Sequence, residues 1–161
     1  MPNNNTPRKE YECNYELDVQ DIEYLMCHVM MLWRRVVNSQ IKSLGINATE
    51  KRVLVCISRN PGLTQTQIAN ILELEPQNLI RSLDKLEKQN WIKKCADTND
   101  RRTKLLFTTE EAKPILNQIK KINASVKPQI LFSINEKEIK ELIHHLTNIR
   151  ENLFKELDKI K

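Results

Sequence analysis

The residues best placed to do chemistry are polar and fall in two stretches. Between Pro76 and Gln89, the side chains of Gln77, Asn78, Arg81, Lys85 and Lys88 share an arc of roughly 100° when wound at about 100° per residue. Leu79, Leu83 and Leu86 fall on the opposite side, and Ser82 adds a hydroxyl to the same segment. Asn and Gln pair with adenine through two hydrogen bonds, Arg with guanine, and Lys suits phosphate. The N-terminal residues of a helix laid in the major groove reach base edges, which selects Gln77, Asn78 and Arg81. The second stretch is Asp100-Arg101-Arg102, in turn-forming surroundings. A narrow minor groove attracts inserted guanidiniums, and Asp100 is expected to hold one extended through a charge-assisted hydrogen bond. Each stretch also has a plainer reading: a surface helix with a solvated basic side, or an exposed ion pair worth at most about 1 kcal/mol. Together they point to double-stranded DNA.

Other chemistries find little support. No nucleophile elbow, Gly-rich phosphate loop or HExxH occurs, and a chain with two glycines cannot easily build a phosphate cradle. An enzyme is therefore not expected, nor is any cofactor. Cys13, Cys27, Cys56 and Cys95 lie far apart with no CxxC spacing, so neither a zinc ribbon nor a disulfide framework is indicated. His144 and His145 are adjacent and would point apart on a helix, so no metal site is expected there. The net charge of +5 is compatible with a polyanionic partner and equally with a solvated face. No apolar stretch reaches the roughly 20 residues of a membrane span, and the polar N-terminus lacks a secretory h-region. A cytoplasmic, reduced setting is the expectation.

The elements that must position these residues follow from periodicity and punctuation. Residues 1–17 read as a flexible segment. Spacings of three and four from Ile22 to Ile41 predict a long first helix within residues 18–47, stopped at Gly45. Asn47 or Thr49 starts a second helix that ends before Asn60-Pro61-Gly62, and Thr64 caps a short third. Glu75-Pro76 opens the fourth, with proline where its missing N–H does no harm, and Asn90 stops it in a left-handed conformation. Residues 91–95 and 103–108 read as a β-hairpin around Asp97-Thr98-Asn99-Asp100. Thr108 and Glu111 suggest a capping box for a fifth helix that Pro128 should kink or end, before a last helix from Asn135 to Ile160. The fold class is mainly α: a winged helix-turn-helix of about six helices plus a β-hairpin wing, with N- and C-terminal dimerisation helices. The lobe spans 48–112 and the C-terminal dimerisation helices 113–161. The first and last helices carry more apolar residues than one small lobe buries, so a lone subunit would expose a large patch.

At these residues the chain resembles the MarR family of regulators, and within it the SlyA branch. The run QIANILELEPQNLIRSLDKLEKQNWIKK is similar to that family's helix-turn-helix entering the wing. DRRTKLLFTTEEAKPIL is similar to the second wing strand and the helix after it, and QILFSINEKEIKELIHHLTNIRENL to the branch's C-terminal dimerising helix. MLWRRVVNSQIKSLGINATEKRVLV is similar to its first two helices, so the resemblance runs from about Asp18 to Leu157. It implies a triangular homodimer whose two lobes reach successive major grooves of a pseudo-palindromic operator. Repression is the commoner mode in such families, and anti-silencing is known for the branch. The resemblance also implies a pocket for a small aromatic carboxylate, where Trp33 and Arg34 are the candidate pair, and an oxidant-sensing cysteine in some relatives, where Cys27 beside His28 is the candidate. The chain departs from the family pattern at Asn99, Asn90, Thr108, Gln77 and Asn78. A winged helix used only for protein contacts is the competing reading.

Overall fold

The computed structural model describes residues 21–98, 100 and 102–160. Residues 1–20, with Cys13 and all of the expected flexible segment, and also Asn99, Arg101 and Lys161, lie outside them. The chain divides into two compact units, one ending at Arg35 and one beginning at Val36. Helix α1 runs Ile22–Ile41, and a short 3-10 turn Lys42–Leu44 closes on Gly45, whose φ of 72° is the left-handed stop that its sequence position suggests.

In the second unit, α2 (Ala48–Arg59) begins at Asn47 rather than Thr49. Asn47 and Glu50 form a complete capping box, each side chain bonded to the other's backbone N–H. A two-residue strand, β1 (Leu63–Thr64), follows, and Thr64 then caps α3 (Gln65–Leu72) with Gln67 as its reciprocal partner. The turn after α3 is left-handed at Glu73, and α4 (Pro76–Lys88) opens with proline in its first turn. Asn90 adopts φ 57°, and the Trp91 N–H reaches back to the Leu86 carbonyl, so an asparagine makes the left-handed exit.

Strands β2 (Ile92–Ala96) and β3 (Lys104–Thr108) form the hairpin, one residue later at its start and end than the composition suggests for β2. They pair antiparallel from Ile92↔Thr108 to Ala96↔Lys104. The sheet has a third strand that the hairpin pattern does not announce: β1 pairs with β3 through Leu63↔Leu106 and Thr64↔Leu105, giving the order β1-β3-β2. Two residues are too few to carry an alternating signature, and the pairing exists only because the chain before α3 passes the hairpin.

The expected Thr108–Glu111 capping box is not made. Thr108 ends β3, Thr109 donates its hydroxyl to the Asn90 carbonyl, and a 3-10 turn Glu110–Ala112 precedes α5 (Lys113–Ile130). The sheet registers Thr108 in the ladder, which removes it from cap geometry. Helix α5 passes through Pro128 and ends two residues later, at Ile130. Proline removes its own N–H bond and its ring crowds the carbonyl four residues back, and the helix stops within the next two residues. Helix α6 (Glu136–Ile160) is capped by Asn135, whose side chain accepts from the Glu138 N–H while the Glu138 carboxylate accepts from the Asn135 N–H.

The core sits around α2. Val53, Leu54 and Ile57 are fully buried, together with Ile68 of α3, Leu79, Leu83 and Leu86 of α4, Leu106 of β3 and Val126 of α5. By contrast, α6 buries no residue along its whole length. Leu142, Ile143, Leu146, Leu153, Phe154 and Leu157 are exposed, as are Ile22, Leu25, Val29 and Leu32 of α1.

Candidate nucleic-acid interface

Helix α4 owes its place to its leucines. Leu79, Leu83 and Leu86 are buried against the lobe, and each such side chain contributes about 1.5–3 kcal/mol on leaving water. Fixing that side fixes the other: Gln77, Asn78, Arg81 and Lys88 are exposed on the outer face.

Two residues of the same segment have partners within the lobe, Ser82 on its own helix and Lys85 at the start of α2. Ser82 is buried and its hydroxyl donates to the Asn78 carbonyl one turn back. It lies on the edge of the leucine stripe, where the helix meets the lobe. The Lys85 ammonium pairs at 2.9 Å with the carboxylate of Glu50, a side chain only 5% exposed at the start of α2. The spacing that puts Lys85 on the polar arc is right; a buried acid on another helix draws its tip aside.

The wing turn is built by Asp100. One carboxylate oxygen accepts from the Arg102 backbone N–H at 3.0 Å and the other from the Thr103 hydroxyl at 2.9 Å. The Thr103 N–H closes the turn on the Asp100 carbonyl. These bonds, the Arg102 N–H first and the Thr103 hydroxyl second, hold the Asp100 carboxyl below its ordinary pKa. The Asp100 carboxylate thus shapes the backbone on which Arg102 stands exposed. Arg101, the other wing guanidinium, lies outside the described residues.

Along β2, Lys94 pairs with Glu87 at 2.6 Å and lies 3.8 Å from Asp84, linking the strand to the flank of α4. Glu50 is the residue of this region that sequence reasoning missed. Its capping spacing from Asn47 was legible, but its bond to Lys85 crosses 35 residues and leaves no local signal.

The remaining candidates are on α1, in the first unit. Trp33 is half-buried, Arg34 exposed, and Cys27 exposed as a free thiol. The ring of His28 packs on Tyr24 with centroids 5.8 Å apart. In the second unit a cavity of about 360 Å³ between α2, α3 and α5 is lined by Lys51, Arg52, Arg59 and Ile119 among others, and by neither Trp33 nor Arg34. Among the described residues, no group of His, Cys, Asp and Glu is arranged to hold a metal ion, and no helix is long and apolar enough to cross a membrane.

Residues 46–104 match the MarR family. This segment is a MarR family domain. It runs from the residue before the Asn47 cap through the Arg102 turn, and so contains α4 and the wing together. The whole fold agrees with it. A MarR family transcriptional regulator from Listeria monocytogenes, described as putative and solved in complex with 26mer DNA, is similar with a TM-score of 0.71 and 27% identity, covering 83% of this chain and 89% of that one. The transcriptional regulator PA3341 is similar with a TM-score of 0.72 and 29% identity, covering 83% of this chain and 98% of the other. The regulator SlyA has a TM-score of 0.72 over 88% of this chain and 99% of its own, at 24% identity, which speaks to fold alone. The architecture is that of the MarR-type winged-helix transcriptional regulators.

Proposed function

We propose that this chain is a sequence-specific double-stranded DNA-binding transcription regulator that works as a homodimer. The observation that carries it is the outward row Gln77, Asn78 and Arg81 on a helix whose other side is sealed by three buried leucines, inside a MarR domain whose wing turn presents Arg102. That the Listeria relative was solved with DNA supports the reading. In it, α4 lies in the major groove with Gln77, Asn78 and Arg81 at base edges, while Arg102, together with Arg101, enters the flanking minor groove. The exposed leucines of α6 and apolar residues of α1 support a second copy as their cover, and two lobes then match a pseudo-palindromic operator.

The finer reading is a SlyA-like repressor or anti-silencer whose DNA affinity a small aromatic carboxylate modulates, with Trp33 and Arg34 as its candidate contacts. A second reading, oxidation of Cys27, is favoured by its exposure. Selection of bound duplexes from a randomised pool tests the main proposal: wild type enriches a two-fold related site, and Arg81→Ala and Arg102→Ala bind it weakly. Enrichment of nothing by the wild-type chain favours a winged helix for protein contacts instead. Salicylate added to the recovered complex tests the ligand, and peroxide with a Cys27→Ser control tests the thiol.

A further inference from the structure

Helix α4 is tied to the lobe by more than leucines. The Glu50 carboxylate is 5% exposed and serves three donors. One oxygen accepts from the Asn47 backbone N–H at 3.0 Å and also from the Lys85 ammonium at 2.9 Å. The other accepts from the Asn47 side-chain amide at 2.6 Å. Lys85 in turn lies 3.5 Å from the carbonyl of Gly45, the left-handed residue that ends the turn after α1. The buried acid and the lysine paired with it therefore join the end of the turn after α1, the start of α2 and the last turn of α4.

A carboxylate removed from water is costly unless its oxygens are bonded and its charge is matched. Glu50 has both only while α4 sits where Lys85 can reach it. The leucine stripe fixes which side of α4 faces inward, but apolar packing is non-directional. A 2.9 Å charge-assisted bond is directional. An ammonium held this way has donors committed to Glu50 and to the Gly45 carbonyl.

We propose that Glu50 is a positioning residue for the α4 surface, acting through Lys85, and that Lys85 supports DNA recognition by orienting the helix rather than by neutralising a phosphate. This rests on the DNA-binding reading above. Gln77, Asn78 and Arg81 reach base edges only within a narrow range of helix placements, so loosening the tie weakens specific binding more than non-specific binding.

The experiment uses the full chain, the duplex recovered by selection and an unrelated duplex, with anisotropy titrations at several salt concentrations. Lys85→Met keeps the stem and removes the charge; Glu50→Gln keeps a capping acceptor and removes the counter-charge. Each is expected to lower the ratio of specific to non-specific affinity about tenfold, and the double variant no further, as coupled residues behave. The slope of log affinity against log salt is expected to stay at the wild-type value for Lys85→Met, whereas a lost phosphate contact would reduce it by about 0.9 per phosphate. Lys85→Arg is expected to rescue the ratio.

A reduced slope with Lys85→Met overturns the proposal and makes Lys85 a phosphate contact. A lower melting temperature with an unchanged ratio overturns it too, and leaves a structural ion pair. Should Glu50→Gln fail to fold, Lys85→Met, at a side chain 44% exposed, decides alone. If the wild-type chain selects no duplex, the DNA reading itself fails, which is a different result from a selected duplex with an unaltered ratio.

Discussion

Arg81 and Arg102 should fail differently when truncated. Arg81 stands exposed among the candidate base readers of α4, so Arg81→Ala is expected to cost about 1–3 kcal/mol of binding and to relax preference at one position of each half-site. Arg102 stands exposed at a turn, so Arg102→Ala is expected to weaken binding across sequences and to flatten the salt slope by about one per subunit. Competition binding with single-base variants separates the two. Asp100 makes a pH prediction. Its folded pKa is depressed by bonds from Arg102 and Thr103, so the turn's support is present above the unfolded carboxylate value and is lost as pH falls through the lower folded value. Amide shifts of Arg102 and Thr103 should therefore hold through the ordinary carboxylate range and move only in stronger acid. Among the thiols, burial pushes Cys56 up against a smaller lowering by Asn60. At neutral pH Cys56 is expected to alkylate more slowly than it does in urea, by mass spectrometry of iodoacetamide-treated protein.

Elements were the most legible level, because caps are local chemistry. Asn47, Thr64, Pro76 and Asn90 all stand where their backbone roles require them. Thr64→Ala removes a hydroxyl that caps α3 and is expected to cost about 1 kcal/mol in urea denaturation. Asn47→Ala should cost more, since it also strips Glu50 of a side-chain donor. What was not legible at this level came from outside the element. Strand β1 is two residues long and exists through its pairing with β3. Thr108 resembles a cap until the β2–β3 ladder claims it. Pro128 carries the expectation of a kink or end, and α5 ends two residues beyond it, at Ile130.

For the whole molecule, the telling feature is a 25-residue helix with nothing buried. A helix of that length gains little from propensity alone, since most helical stability in proteins comes from packing an apolar face. A row of exposed leucines on α6 and apolar residues on α1 is a cost for a lone chain and a gain for a pair. In the proposed dimer, Leu146→Glu together with Leu153→Glu is expected to shift sedimentation toward the monomer. The wild-type melting temperature should rise with protein concentration, as it does when folding and association are linked.

The sequence by itself determined the helices and the hairpin, their order and the polar and apolar sides of α4, because helical periodicity, capping spacing and turn residues act over a few positions. The tertiary structure alone decided that Lys85 meets Glu50, that Ser82 is buried against the lobe, and that β1 completes the sheet. Each of those depends on separate stretches of the chain meeting, and only the packed core sets where they meet.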